Sequence, residues 1–161
     1  MALKEALTEQ IAALAAGGVT DFLSGMAQGT DLWCSQIVLA LRKKAPELGL
    51  HCVLPCADQE KEWSISAQEQ YHDILRQADE VIYINHAYHE GCMLERNHFL
   101  VDHSEILLAV WNGRRRSGTG ATVGYARKCG REIILVHPLT RRISCEPSLD
   151  QAGGGGVFFE L

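Results

Sequence analysis

The stretch FLSGMAQGTDLW, residues 22–33, begins with apolar residues, passes through small ones and runs into a long amphipathic segment. The short apolar segment predicts a strand, and the spacing of apolar residues after Gly29 predicts a helix. Gly25 and Gly29 permit a tight turn or a positive φ, and they allow a ligand to approach the backbone closely. The stretch therefore predicts a strand, a loop and a helix, which is the repeating unit of an α/β fold.

The same alternation extends in both directions from this stretch. Apolar residues at positions 3, 7, 11 and 14 predict a helix before it, ended by Gly17 and Gly18. After it, helices separate four further apolar segments that read as strands: LHCVLP, EVIYIN, EILLAVW and EIILVHP. Strands that are apolar almost throughout are typical of parallel sheets covered on both faces. The predicted fold is an open three-layer α/β/α domain with a mostly parallel sheet, over residues 1–138.

The segment 139–161 differs in composition from the rest of the chain. It contains Pro147 and a run of glycines, Gly153 to Gly156. Consecutive glycines are unfavourable in a helix or a packed strand, so we expect a flexible, glycine-rich tail. The final residues VFFEL either add a strand or remain free.

Composition narrows the classes of function. The chain has 161 residues, 47% of them hydrophobic, which fits one domain with its own core. A net charge of −5 and a pI of about 5.8 disfavour nucleic acid as a partner and favour small molecules or proteins. We find no segment apolar enough to span a membrane and no leader pattern, so the sequence predicts a cytoplasmic protein without membrane contact.

The cysteines and histidines do not form a recognisable ligand pattern. The six cysteines are scattered without a CxxC pair, which favours reduced thiols in a cytoplasmic protein. His86 and His89 lie close together, but their spacing from the cysteines and from other histidines matches no zinc motif. We therefore predict no metal site and no cofactor.

Two glycine-containing loops are candidate phosphate sites. Residues 24–31 follow one predicted strand, and NGRRRSGTGATVGYA, residues 112–126, follows another and includes three arginines. Ligands of parallel α/β proteins bind beyond the carboxyl ends of the strands, where helix N-termini offer free amides to anions. Neither loop is a Walker or GxGxxG motif. The alternative is that the glycines only make turns and the arginines are solvated.

Three stretches carry a resemblance to a known family: FLSGMAQGTDLW, CMLERNHFLVDHSEILLAVWNG and SGTGATVGYARKCGREI. Over residues 3–137 the chain resembles the YpsA-like proteins of the SLOG superfamily, which also contains the DNA-processing protein DprA (Smf) and the LOG cytokinin-activating phosphoribohydrolases. The resemblance implies a Rossmann-like fold and a pocket for a nucleotide or nucleotide-derived ligand. Carried over to this chain, with DQEKEW as a further matching stretch, it implies these ligand-binding residues: Ser24, Gly25, Met26, Ala27, Gly29, Asp31, Gln59, Trp63, Arg96, Asn97, Gly118 and Thr119.

The chain departs from the family pattern in its first strand. Members normally begin with a strand that carries a Gly-His-Arg-type loop, and this chain opens in the helix that should follow it. Either the amino terminus is truncated, or the sheet is completed differently, by VFFEL or by a partner chain. An unpaired strand edge favours self-association, so we expect a homo-oligomer.

A second departure concerns catalysis. LOG-type enzymes pair an arginine with a glutamate in a glycine-rich loop; Met93 and Arg96 match the arginine half, but no carboxylate follows Gly118 and Thr119. We therefore expect a module that binds or senses a nucleotide-derived ligand, with no catalytic residue assigned. The alternatives are a phosphoribohydrolase that takes its acid from Asp31, Asp102 or Glu90, and a DprA-like binder of single-stranded DNA.

Asp31 itself has three possible roles. It can cap the following helix, orient the loop through backbone amides, or accept a ribose hydroxyl.

Overall fold

A seven-stranded sheet lies between two layers of helices in the computed structural model, which describes residues 2–149 and 156–160. The helices are α1 (Ala2–Ala16), α2 (Thr30–Arg42), α3 (Ile65–Gln77), α4 (Cys92–Asp102) and α5 (Gly118–Lys128). The strands are β1 (Asp21–Ser24), β2 (Gly49–Leu54), β3 (Glu80–Tyr83), β4 (Ser104–Val110), β5 (Glu132–Val136), β6 (Ile143–Glu146) and β7 (Gly156–Glu160). Helices and strands alternate from α1 to β5, which confirms the predicted α/β class.

The strands run in the order β3-β2-β1-β7-β4-β5-β6. All neighbouring pairs are parallel except β5 and β6, which are antiparallel. The carboxyl ends of β1 to β5 and of β7 therefore lie at one edge of the sheet. We call this the carboxyl edge.

The core has two parts, one on each face of the sheet. On one face, Leu7 of α1, Val38 of α2 and Ile74 of α3 pack on apolar residues of the sheet. On the other, Leu100 of α4 and Val123 of α5 do the same. Alternate residues of one strand serve the two faces, because side chains of a strand point to opposite sides. This arrangement confirms the three-layer prediction.

Strand β7 lies in the middle of the sheet, although it comes from the segment that the sequence analysis separates as a tail. It pairs in parallel with β1 through Phe22 and Val157, and with β4 through Ile106 and Val157. Val157 is 0% exposed. Of the two ways left open for completing the sheet, the structure uses the chain's own VFFEL segment. The predicted flexible link at Gly153–Gly156 lies outside the described residues except for Gly156, where β7 begins.

The expectation of a homo-oligomer depended on an unfilled strand position. That position is occupied by β7, which leaves β3 and β6 as the edges of the sheet. Self-association therefore stays a prediction without that support. The six cysteines are all free thiols, as predicted. No described helix is long and apolar enough to cross a membrane.

Candidate functional site

The loop between β1 and α2 is closed by its own side chains. The amide of Met26 donates to Ser24 Oγ at 3.1 Å, and the amide of Ala27 donates to Asp31 Oδ2 at 3.0 Å. Helix α2 starts without a side-chain cap, so Asp31 orients the loop and does not cap the helix. Of the roles considered for Asp31, the hydrogen bond to Ala27 is the one present in the structure.

Gly29 and Met26 both have a positive φ, but they contribute to the loop in different ways. Gly29 has φ +99°, a region that side chains other than glycine rarely adopt, so the backbone itself requires glycine there. Met26 has φ +58°, and its side chain is fully buried in the core. Met26 therefore contributes to the loop only through its backbone.

Arg96 of α4 braces the same loop from the side. The side chain is 5% exposed, its Nη1 donates to the carbonyl of Gly25, and its Nε donates to Asn97 Oδ1 at 2.8 Å. A Cβ on Gly25 would lie 2.7 Å from Arg96 Nη1, so the guanidinium packs directly on the glycine. Asn97 thus orients Arg96, and Gly25 leaves the space that Arg96 occupies.

Asp31 is the buried carboxyl group of this site. It is 4% exposed, and its Oδ1 has no hydrogen-bond partner among the described residues. Burial raises the pKa of Asp31 from its ordinary value of 3.8 to about 6, against the attraction of Arg96 and the hydrogen bond from Ala27. Since Oδ1 is inaccessible, a ribose hydroxyl could reach it only after the loop moves.

This electrostatic arrangement predicts a pH-dependent stability. A carboxyl whose pKa is raised by folding costs stability as pH rises from its unfolded to its folded pKa, here from 3.8 to about 6. Asp31→Asn removes this cost, so we expect the stability of the variant relative to wild type to rise by about 3 kcal/mol between pH 3.5 and pH 7.5. Urea unfolding at both pH values measures it.

Asp73→Asn, on the exposed surface of α3, is the matched control for Asp31→Asn. The difference in stability between this variant and wild type is expected to change by less than about 0.5 kcal/mol over the same pH range. A flat profile for Asp31→Asn would show that the carboxyl titrates alike in the folded and unfolded chains.

A cavity adjoins the braced loop. Gln59 donates to the carbonyl of Gly25 at 3.2 Å and also lines this cavity of ≈ 330 Å³. Its other lining residues are Cys56, Asp58, Lys61, Glu62, Tyr88 and Met93. Arg96 is not one of the lining residues, but its Nη2 contacts Met93 Sδ at 3.9 Å, so the guanidinium lies one side chain away from the cavity.

Trp63, predicted as a wall of the site, is absent from the lining of this cavity. It packs edge-on against Tyr71, with ring centroids 5.2 Å apart, beside the hydrophobic core. Tyr71 in turn receives a hydrogen bond from Gln59 at 3.4 Å. Trp63 therefore supports Gln59 through Tyr71.

The second glycine-containing loop leads into α5. Ser117 caps the helix: its Oγ accepts from the amide of Gly120 at 2.9 Å and donates to the carbonyl of Arg114 at 2.8 Å. No described residue accepts a hydrogen bond from the amides of Gly118 and Thr119. A Cβ added at Gly118 would meet nothing within 4 Å, whereas one at Gly120 would lie 2.5 Å from the carbonyl oxygen of Arg114. The amides of Gly118 and Thr119 are thus free of partners among the described residues, Gly118 has room for a side chain, and Gly120 is needed for packing.

Both loops lie at the carboxyl edge, since β1 and β4 both run parallel to β7. One strand separates β1 from β4, so their axes are about 10 Å apart. A ligand that touches both loops above these strands must bridge that gap.

Most of the cavity lining was missed at the sequence level. Cys56, Asp58 and Tyr88 follow β2 and β3 in the chain, at the carboxyl edge. The position of a residue just after a predicted strand was the signal available for them. Met93 was noticed only as part of the stretch containing Arg96.

The proposed alternative acids differ in their position. Asp102 accepts from the hydroxyl of Tyr125 at 2.8 Å, at the end of α4 that leads into the start of β4. It therefore lies toward the edge opposite the site. Glu90 is exposed and precedes α4 at the carboxyl edge.

The fold and the two loops define a Rossmann-like three-layer protein with a candidate ligand site at the carboxyl edge of its sheet. The YpsA family model, described as the YspA SLOG family, matches residues 1–131. The chain belongs to this family.

Individual relatives agree with this assignment. The chain is 35% identical over 112 residues to a UPF0398 protein of Halalkalibacterium halodurans, covering 68% of this chain and 59% of that protein. It is 32% identical to the SPbeta prophage-derived protein YoqJ of Bacillus subtilis, over 73% of this chain and 76% of YoqJ. Identity to the UPF0398 protein YpsA of Bacillus subtilis is 27%, over 78% of this chain and 71% of that protein. The chain thus spans about three fifths of the first of these relatives.

Among solved structures, (E)-4-hydroxy-3-methyl-but-2-enyl diphosphate reductase matches with a TM-score of 0.25 and 14% identity, covering 99% of this chain and 59% of that one. A likeness at this level carries no argument about fold or function.

Proposed function

We propose that the protein binds a nucleotide or a nucleotide-derived small ligand at the carboxyl edge of its sheet. The observation that carries the proposal is that the free amides of Gly118 and Thr119 and the loop that Arg96 braces both lie at this edge. Helix N-terminal amides favour a phosphate, and a buried guanidinium adds a fixed positive charge. SLOG membership supports the same class of ligand.

The distance between the loops indicates the kind of molecule. A gap of about 10 Å between β1 and β4 is too wide for a lone phosphate ion to contact both loops above their strands. A nucleoside monophosphate can place its phosphate at α5 and its base toward the cavity beside Gln59. Tyr88 and Met93 offer apolar contact there, and Asp58 and Glu62 offer acceptors for an amino group of the base.

A glycine substitution tests the phosphate half of the proposal. Gly29 is unsuitable, because its positive φ strains any other residue whether or not a ligand binds. Gly118 is exposed and has space for a Cβ, so we expect Gly118→Val to fold and to weaken nucleoside monophosphate binding at least about tenfold by blocking the two amides. Calorimetric titration with AMP, GMP, CMP and UMP measures it.

The matched control is Gly124→Val in the same helix. Gly124 is exposed and also has nothing within 4 Å of an added Cβ, but it lies in the middle of α5, away from its N-terminus. Its affinity for nucleoside monophosphates should equal that of wild type. Equal losses in the two variants, or no binding of any of the four nucleotides by wild type, would contradict the proposal.

The same titrations separate binding from hydrolysis. A phosphoribohydrolase would release free base from the nucleoside monophosphates, which chromatography of the titrated samples detects. Burial of Asp31 Oδ1 favours binding, because no carboxylate oxygen of Asp31 is available to a ribose in this structure. The net charge of −5 likewise opposes the DprA-like alternative, and a salt-dependent titration with a single-stranded oligonucleotide tests it.

A further inference from the structure

A second and larger cavity lies on the other side of the carboxyl edge, beyond the ends of β4 and β5. Its volume is ≈ 580 Å³, and the residues around it include Trp111, Leu135, His137, Thr140, Arg142 and Ser144. It shares no lining residue with the cavity beside Gln59. We call it the hairpin cavity, because the turn between β5 and β6 forms one of its walls.

The apolar wall of the hairpin cavity is held in place before any ligand binds. Trp111 Nε1 donates to the carbonyl of Arg114 at 2.9 Å, and the guanidinium of Arg127 lies 5.5 Å from the centre of the Trp111 ring. Arg127 in turn makes two hydrogen bonds to Glu146 of β6, at 2.9 and 2.7 Å. Leu135 adds a second apolar side chain. The wall can therefore receive a flat apolar group with little loss of side-chain freedom.

The polar wall consists of hydrogen-bond donors. His137 Nδ1 accepts from the amides of Leu139 and Thr140, each at 3.2 Å, so the hydrogen of the neutral ring is on Nε2. The side chain of Arg142 has no acceptor among the described residues. The hydroxyl of Ser144 likewise donates to no described residue. All three side chains line the same cavity with donor groups that no described residue accepts from.

The charge of this wall determines whether the cavity favours an anion or a cation. None of the described residues that line the hairpin cavity carries a carboxylate, although the chain as a whole has a net charge of −5. An unpaired guanidinium beside two neutral donors attracts an anion, and planar fork geometry suits a carboxylate or a phosphate. Trp111 and Leu135, which line the same cavity, suit an aromatic body.

We propose that the hairpin cavity binds a small aromatic anion, whose ring packs on Trp111 and whose charged group accepts hydrogen bonds from Arg142 and His137. Neither Gly118 nor Thr119 lines the hairpin cavity, and it shares no lining residue with the cavity beside Gln59. Asn112 and Gly113 of the loop that leads into α5 do line it, so the two proposed sites adjoin through that loop and use different side chains.

Phenyl phosphate is the probe for this site. We expect it to bind wild type in a calorimetric titration and to change the tryptophan fluorescence, and we expect Trp111→Phe to abolish most of that fluorescence change. Benzyl alcohol has a similar ring without a charge and should bind at least tenfold more weakly. Benzoate, which carries a carboxylate, should compete with phenyl phosphate. Equal affinity for benzyl alcohol would overturn the charge-based recognition.

Neighbouring arginines supply the matched pair of variants. Arg142→Gln should weaken phenyl phosphate binding at least tenfold, whereas Arg141→Gln makes the same charge change on a residue that does not line the cavity and should leave it unchanged. Equal effects of the two substitutions would overturn the proposal, with circular dichroism showing that both variants are folded. Gly118→Val should leave phenyl phosphate binding intact, and Arg142→Gln should leave nucleotide binding intact. The two sites can thus fail independently.

Discussion

A chain that ends at Leu149 is expected to lose its cooperative unfolding transition. It lacks β7, which is hydrogen-bonded to β1 on one side and to β4 on the other. Without β7, the sheet divides into β3-β2-β1 and β4-β5-β6, and both halves expose an unpaired apolar edge. The free energy of unfolding of such domains is only about 5–15 kcal/mol. We expect removal of a central strand to cost more than that.

Thermal and urea unfolding, followed by circular dichroism, compare the shortened chain with the full one. Addition of a synthetic peptide with the sequence of residues 150–161 should restore the transition, because the peptide can occupy the vacated strand position. A shortened chain with wild-type stability would instead show that this segment is the free tail that its glycines suggest.

A point variant tests the same strand in the full chain. Val157→Asp places a carboxylate where the side chain is 0% exposed, and we expect it to cost on the order of 4 kcal/mol. Ile143→Asp is the control, since Ile143 lies on the edge strand β6 and is 38% exposed. Its cost should be below about 1.5 kcal/mol.

Arg96→Met is expected to impair both stability and ligand binding. Methionine keeps much of the apolar length of the side chain but leaves the carbonyl of Gly25 and the Asn97 side chain without their charged donor. Hydrogen bonds to charged groups contribute about 1.5–3 kcal/mol each, so we expect the free energy of unfolding to fall by about 2–4 kcal/mol. Asp31 also loses the positive charge that opposes its raised pKa.

The effect on binding follows from the position of the guanidinium. Arg96 Nη2 contacts Met93, which lines the cavity beside Gln59, so the positive charge of the guanidinium lies one side chain away from a ligand bound there. We expect Arg96→Met to weaken nucleoside monophosphate binding by about 1.5–3 kcal/mol, and the loss should shrink as salt is raised. Calorimetry at 0.05 and 0.5 M salt measures both quantities.

Arg76→Met is the matched control for Arg96→Met. Arg76 is on α3, and its pair with Asp73 is exposed on both sides. Its substitution should change stability by less than about 1 kcal/mol and leave nucleotide affinity unchanged. A fall in stability without a change in affinity for Arg96→Met would mean that Arg96 braces the loop but does not reach the ligand.

Some parts of the candidate site could be predicted from a short stretch of sequence, and others depend on contacts between distant residues. The loop at residues 24–31 and the start of α5 were predictable, because each comprises glycines between a strand and a helix in a short window. The contact between Arg96 and Gly25 joins residues 71 positions apart, so no local pattern contains it. The same is true of Gln59, whose hydrogen bond to Gly25 spans 34 positions. The resemblance to the YpsA-like proteins supplied both residues as candidates without supplying their contacts.

In the loop at residues 24–31, the burial of two side chains gives them roles that their residue types did not suggest. Asp31 follows a helix start and carries a charge, which suggested a cap or a ligand contact, yet it lies 4% exposed and holds the amide of Ala27. Met26 belongs to the loop by sequence and to the core by its side chain. The packing of α2 against the sheet buries both side chains. That packing depends on residues far from the loop, so the sequence of the loop does not predict it.

The order of helices and strands from α1 to β5 was determined by the sequence alone, because apolar periodicity and glycine or proline breaks act over a few residues. The tertiary structure alone decided that VFFEL contributes the central strand. A short apolar segment is compatible with a free end, an edge strand or a central strand. Backbone groups of β1 and β4 that face each other across one strand width hydrogen-bond to it from both sides, and burial of Val157 between the two helical layers stabilises that choice.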